Sequence, residues 1–256
     1  MKLQPILRGI RNADRDYKLI EPGDSIAVAL SGGKDSMVLF LALSMYQKFQ
    51  GQDFKLYGIH VDVGFEEFEH ETMKNFAKEH NLELYIQKTQ IYDILKKKTN
   101  NSGKIQCSLC SQFKKGVIFD KARELREGCN KIALGHHGDD AIETLFLNMI
   151  HGSKIATFLP KQYMSRMDMT MIRPLVYLRE KDIIRACERN NIPAVKRVCP
   201  NDGFTQREDI KQKLYKFYEE YPEAEELCRE TGFPEELVAN TSYEKLRSLL
   251  KHGKKV

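Results

Sequence analysis

The order of apolar and polar positions reads as strand and helix in alternation. The first clear signal is Ser25-Ile26-Ala27-Val28-Ala29-Leu30, then the polar Ser31-Gly32-Gly33-Lys34-Asp35-Ser36, then Met37-Val38-Leu39-Phe40-Leu41-Ala42-Leu43. A short aliphatic run closed by glycines predicts a buried strand, and the longer run predicts a helix over 36–49 crossing back over a sheet. The same alternation continues with strands at 55–62, 82–86, 130–135 and 171–175. Helices are predicted at 66–80, where Phe68, Met73, Phe76 and Ala77 share a stripe, and after Cys110, where Phe113, Val117, Ile118, Ala122 and Leu125 keep a helical period. Further helices follow Asp140 and span 180–190. Strands separated by helices imply an α/β fold, an open parallel sheet with helices on both faces. The chain divides into an N-terminal arm or helix over 1–20, the main domain over 21–200 and a helical C-terminal extension over 201–256.

Composition narrows the class. At 256 residues and 41% hydrophobic, the chain can bury roughly 70–75% of its unfolded surface without disulfide or metal staples. No apolar stretch approaches the ~20 residues that cross a bilayer, and residues 1–20 lack the order of a secretion signal, so the expectation is a cytoplasmic protein with no membrane contact. Net charge of +5 permits nucleic-acid binding without requiring it. Basic clusters stand at Lys96-Lys97-Lys98, Lys104, Lys114-Lys115, Lys196-Arg197 and Lys251–Lys255, and acidic ones at Glu66–Glu71 and Glu219–Glu226. Six cysteines in a cytosolic chain point to thiol, metal or catalytic roles before disulfides.

Chemistry gathers where strands end. After the first strand, two glycines allow close backbone approach and a new helix offers unpaired N–H groups to an anion. Ser31 and Ser36 add hydroxyls, Lys34 a cation, and Asp35 a carboxylate suited to Mg²⁺ or to a reacting group. A Walker loop would need another glycine at position 28, which is Val, and the three spaced glycines of a dinucleotide site are missing. His60 and Asp62 close the second strand, where they would face an adenosine or serve only as structural and capping groups. Gly135, His136, Asp139 and Asp140 follow the fourth strand, where the two acids suit Mg²⁺ against a pyrophosphate. Cys107 and Cys110 lie on one face at a helix start, whose dipole would lower their pKa. Cys199, in a Cys-Pro loop, is the best third partner. Three thiols would leave one iron of a cubane open, and the alternative is three ordinary reduced cysteines.

Ser31-Gly32-Gly33-Lys34-Asp35-Ser36 resembles, at all six positions, the PP-loop of the N-type ATP pyrophosphatases. Those enzymes hold ATP's phosphates there and adenylate a substrate, and the resemblance implies the adenine-nucleotide alpha-hydrolase-like, Rossmann-like fold. Cys107-Ser108-Leu109-Cys110, Lys114-Lys115-Gly116, Gly135-His136-His137, Asp139-Asp140, Arg173-Pro174-Leu175 and Cys199 then appear in the order of the tRNA 2-thiocytidine synthetase family, over roughly residues 15 to 210. That resemblance implies a [4Fe–4S] cluster on Cys107, Cys110 and Cys199, with Mg²⁺-ATP at the loop and a tRNA pyrimidine as substrate. Related thiolases of uridine carry zinc ribbons; no paired cysteines stand at either end here, so the expected target is cytidine.

The expected mechanism is attack of the pyrimidine C2 oxygen on ATP, then displacement of AMP by sulfide held on the cluster. Asp35, Lys114 and Asp140 are the catalytic candidates, with Ser31, Gly32, Gly33, Lys34, Asp35, Ser36, His60, Asp62, Gly135, His136 and Asp139 holding the nucleotide. Expected partners are tRNA, held by the basic clusters in a salt-sensitive way, and a sulfide donor, a cysteine desulfurase or free sulfide; a homodimer is allowed but not specified. Two rival readings are a lysidine-synthetase-like ligase without a catalytic cluster and a non-catalytic redox sensor that binds nucleotide and cluster.

Overall fold

The protein is seen as a computed structural model describing residues 2–50, 53–65, 68–97, 105–125, 128–195, 198–203, 205–223 and 241–242. Glu66, Lys98, the 100–103 loop, Lys104, Lys196-Arg197 and the basic tail lie outside the described residues. Two compact units divide the chain: residues 1–137 with 160–202, and residues 138–159 with 203–256.

The first unit begins with α1 (Gln4–Tyr17), opened by Pro5 in its first turn and closed by Lys18 in the left-handed region at φ 48°. Its stripe Ile6, Ile10 and Ala13 is fully buried. Gly9 marks the closest packing, since a Cβ there would lie 2.6 Å from Leu178 Cδ2. Asp14, buried on the same helix, accepts hydrogen bonds from the Ile20 N–H at 2.8 Å and the Tyr46 hydroxyl at 2.7 Å. Residues 1–20 thus contribute a packed helix.

The sheet contains β1 (Ser25–Leu30), β2 (Lys55–Asp62), β3 (Glu83–Lys88), β4 (Lys131–Ala133), β6 (Lys161–Met164) and β7 (Met169–Ile172). Its order is β3-β2-β1-β4-β7-β6. The first five strands run parallel, with Ile26 opposite Leu56 and Lys131. Strand β6 is antiparallel to β7, so the sheet is mixed rather than wholly parallel. Sequence reading passes over β6 because it is a short edge strand, half of whose residues are polar. The strand expected over 171–175 ends at Ile172: Pro174 has no N–H to give a ladder, and the Arg173 N–H turns to the Pro160 carbonyl at 2.9 Å.

The strand period of two assigns the faces. Ala27 and Ile59 join Phe119 and Ala122 of α5 (Cys107–Glu124) in one buried cluster. The neighbouring Gly58 faces the other way, where a Cβ would meet Leu30 at 2.6 Å and Phe40 of α2 (Lys34–Gln50) at 2.8 Å. Helices therefore cover both faces. Also in this unit are α3 (His70–Glu79), α4 (Ile91–Lys97) and α7 (Glu180–Asn190); α3 starts later than the expected residue 66.

At the amino ends of β1 and β4, Lys131 is buried and offsets its desolvation with Asp24 at 2.6 Å, Glu21 at 3.0 Å and the Leu19 carbonyl at 3.0 Å. This polar plug lies at the sheet's opposite edge from the strand carboxyl ends. The second unit holds α6 (Gly138–His151), β5 (Lys154–Ile155), α8 (Gln206–Glu220) and β8 (Thr241–Ser242), with β5 and β8 antiparallel. Among the described residues no helix is long and apolar enough to cross a membrane.

Candidate active site

From β1 the chain moves to β2 on one side, while β4 pairs on the other. Such a switch point opens a crevice beyond the strand carboxyl ends. Into it runs the 31–36 loop. Gly32 adopts φ +82°, and a Cβ there would sit 3.0 Å from Phe68 Cζ and 3.2 Å from Val195 Cβ, so both its conformation and its space require glycine. Ser36 Oγ accepts from the Ser31 N–H at 3.2 Å and donates to the Gly33 carbonyl at 2.9 Å. Ser31 Oγ accepts from the Gly33 N–H at 3.3 Å and lies 3.2 Å from Ser36 Oγ. The two hydroxyls thus fasten the loop on which they were expected to serve as phosphate donors.

Gly135, just past β4, lies against the start of α2. A Cβ would stand 3.1 Å from both the Asp35 carbonyl carbon and the Ser36 nitrogen. These are backbone atoms that cannot rotate away. Gly135→Ala is therefore expected to cost about 1–3 kcal/mol of stability and to weaken nucleotide binding by displacing the loop; thermal melting and titration with an ATP analogue check both effects.

Lys34 Nζ is held by Glu180 Oε1 at 2.8 Å and by the Asp35 oxygens at 3.0 and 3.3 Å. Burial alone would lower the lysine's pKa, but Asp35 and Glu180 outweigh it and hold the ammonium above its ordinary value. His137 Nε2 stands 3.9 Å from Asp35 Oδ1, and His136 beside it is partly buried. Glu180 is 146 positions from Lys34, and no local pattern joins the two; only the packing of α7 on α2 reveals it.

At the end of β2, His60 Nδ1 lies 2.8 Å from the Leu30 carbonyl, and its ring stacks on Phe68 at 4.7 Å between centroids. Burial lowers its pKa and favours the neutral ring. Asp62 binds His70 Nε2 at 3.0 Å and accepts from the Gly64 N–H at 2.9 Å. Both residues, expected either to face an adenosine or to serve as structural and capping groups, contact protein groups here.

Cys107 opens α5, and Cys110 follows within its first turn. Asn201 Nδ2 donates to the Ile105 carbonyl at 2.7 Å and reaches Cys107 Sγ at 3.2 Å, while the Asp202 N–H closes a turn on the Cys199 carbonyl at 3.0 Å. The loop carrying Cys199 is thereby tied to the start of α5. Burial pushes the Cys110 thiol up, Lys114 opposes this, and Cys199 and Cys107 add to the rise. The Cys110 thiol thus lies above its ordinary value, not below it as the helix start suggests, and burial is the largest cause. Lys114 acts electrostatically on His60 as well, and Cys110 packs against the Val61, Val63, Ile91 and Leu95 cluster at the exit of β2. The cysteines and the end of the second strand consequently border one region. Among the described residues no three His, Cys, Asp or Glu side chains are grouped to hold a single metal ion; a cubane's cysteines ligate different irons, and three thiols are a donor set suited to it.

Asp139 and Asp140 stand in the first turn of α6, in the second unit. Asp140 pairs there with Arg207 at 3.5 Å, and Arg207 also reaches Glu143 at 3.2 Å. Asp140, expected to be catalytic, therefore has a partner in the packing of α6 on α8. Glu143 is buried; desolvation and then Asp140 raise its carboxyl to about 7, against the pull of Arg207. A folded-state pKa above the unfolded one means that the folded state binds the extra proton, so this group's contribution to stability falls as pH rises from about 4.5 to about 7. Thermal melts of Glu143→Gln across that range are expected to show a flatter pH dependence than those of the native protein.

The fold and the glycine-bearing 31–36 loop at its switch point define an α/β protein of the nucleotide-binding class. Residues 9–217 match the model of the PP-loop domain family. The chain is 41% identical over 210 residues to the tRNA-cytidine(32) 2-sulfurtransferase of Ralstonia pickettii, covering 81% of this chain and 65% of that protein. It is 36% identical over 223 residues to the enzyme of the same name from Geobacter metallireducens, covering 86% of each. The U34-tRNA thiolase NcsA from Methanococcus maripaludis, solved with its [4Fe-4S] cluster, shares the fold at TM-score 0.71 and 22% identity, over 92% of this chain and 78% of that one. The chain belongs to the PP-loop family and, within it, to the tRNA-cytidine(32) 2-sulfurtransferases.

Proposed function

We propose that this protein is an ATP-dependent tRNA sulfurtransferase that replaces the C2 oxygen of a cytidine with sulfur. The observation that carries the reading is the packing of Cys110 against the Val61 and Val63 cluster at the exit of β2, where His60 is fastened to the Leu30 carbonyl just before the 31–36 loop, while the loop carrying Cys199 is tied to Cys107 through Asn201. A thiol site alone would fit a redox sensor, and a nucleotide loop alone would fit many ligases.

The chemistry follows in two steps. The cytidine C2 oxygen attacks the α-phosphorus of ATP, the bond to the bridging oxygen breaks, and pyrophosphate leaves. Sulfide then attacks C2, the C–O bond breaks, AMP leaves with the original oxygen, and loss of the sulfur's proton leaves C2=S. A direct exchange would have to expel oxide, a poor leaving group; AMP is a good one. Lys34 and the N–H groups at the start of α2 stabilise charge growing on the leaving pyrophosphate. Asp35 is the residue of the loop suited to hold Mg²⁺, which would supply further charge neutralisation there. Cys107, Cys110 and Cys199 would hold the [4Fe–4S] cluster, which would supply a binding place for sulfide. Lys114, one helical turn beyond Cys110, adds a cation for the activated base or the tRNA phosphate. The basic residues 96, 97, 114 and 115 suit contact with the RNA backbone.

Pyrophosphate release that requires tRNA tests the first step. Release at the same rate without tRNA would remove tRNA as the substrate.

A further inference from the structure

We propose that Glu180 is a positioning residue for Lys34, fixing its ammonium so that one N–H remains directed to the nucleotide's phosphates. The inference rests on the reading of residues 31–36 as an ATP site. A lysine ammonium has three donors and no acceptor. Glu180 takes one at 2.8 Å, and Asp35, through oxygens at 3.0 and 3.3 Å, takes a second. Among the described residues Lys34 Nζ has no third partner. Two acceptors on a flexible four-carbon stem restrict its rotamers and thereby set the direction of the remaining donor.

The place of Glu180 is itself fixed. Helix α7 buries Ile183 and Ala186, Cys187 Sγ stands 4.0 Å from the Lys34 carbonyl, and beyond the helix the Val195 N–H donates to the Gly32 carbonyl at 2.9 Å. One segment therefore grips the loop at the Lys34 side chain, the Lys34 backbone and Gly32. The Glu180 side chain is 11% exposed against 22% for Lys34, so the carboxylate is the more enclosed partner. Enclosure distinguishes this pair from surface ion pairs, which contribute little, and strengthens a charge-assisted hydrogen bond.

A competing picture, in which Glu180 withholds Lys34 from the phosphates, predicts the opposite sign. Removing the carboxylate would then tighten nucleotide binding. The test is calorimetric titration of magnesium and a non-hydrolysable ATP analogue into the native protein, Glu180→Ala, Glu180→Gln, Lys34→Ala and the Lys34→Ala/Glu180→Ala double variant, with melting temperatures alongside. Positioning predicts about tenfold weaker binding in Glu180→Ala and about threefold in Glu180→Gln, which keeps an acceptor. In the Lys34→Ala background the same Glu180 change should alter affinity by less than about twofold. Unchanged or tighter binding in the single variants overturns the proposal, as does an equal loss without Lys34. Should Glu180→Ala fail to fold, the isosteric Glu180→Gln carries the comparison. A native protein that binds the analogue but thiolates no tRNA would refute the substrate reading while leaving Glu180 judged by binding; a native protein that binds no nucleotide would refute both.

Discussion

Serine at Cys107, Cys110 or Cys199 is expected to abolish tRNA thiolation while leaving binding of an ATP analogue nearly unchanged. Oxygen replaces sulfur at almost the same volume, so the fold is preserved. A hydroxyl does not ionise near neutral pH and is a hard donor, whereas iron–sulfur centres select thiolate. None of the three sulfurs forms part of the network that fastens the 31–36 loop. Quantifying thiolated nucleosides and titrating the nucleotide on the same preparations separates the two effects. Cys129→Ala is the control: its thiol is buried among Phe119, Ala122 and Ile132, and burial pushes it up in pKa, so its loss should lower stability without touching sulfur transfer. Thiolation surviving any of the three serine variants would detach that cysteine from the proposed chemistry.

The second large effect is at Lys34. Lys34→Ala is expected to slow tRNA-dependent pyrophosphate release by about 10²–10³-fold, the range for removing one preorganised donor from a developing anion. Nucleotide binding should fall by less, because the N–H groups of the loop remain. The same change leaves Asp35 and Glu180 without their shared cation, so melting temperatures should fall at neutral pH. Single-turnover rates with saturating ATP separate the chemical loss from the binding loss. A rate within threefold of native would remove Lys34 from the mechanism.

Much of the architecture is legible because parallel strands and crossover helices impose strong periods. Residues 25–30 and 37–43 carry such a pattern in full, and the loop between them announces itself through residue types a plain turn does not need. The edge strand β6 is hidden because half its residues are polar and its pairing depends on β7. Partnerships across long sequence distances are equally illegible: nothing at position 180 indicates that its carboxylate meets Lys34, and nothing at 207 indicates that its guanidinium meets Asp140 and Glu143. The cysteines illustrate both sides. Cys107 and Cys110 share a helix start, as their spacing implies, but Cys199 is tied to them through Asn201, a residue no spacing rule selects. The rise in the Cys110 pKa is likewise a property of burial, which a helix-dipole argument made from sequence leaves out.

The proposed reaction is activation of a tRNA cytidine by ATP followed by replacement of its C2 oxygen by sulfide. The most direct measurement is an anaerobic reaction of the protein, reconstituted with iron and sulfide, with unmodified tRNA, magnesium, ATP and isotopically labelled sulfide. Nuclease digestion and mass spectrometry of the nucleosides then read the product. Labelled 2-thiocytidine is expected, formed only with ATP and in step with AMP and pyrophosphate. Pyrophosphate release with no sulfur in the RNA, or sulfur incorporated without ATP, would contradict it.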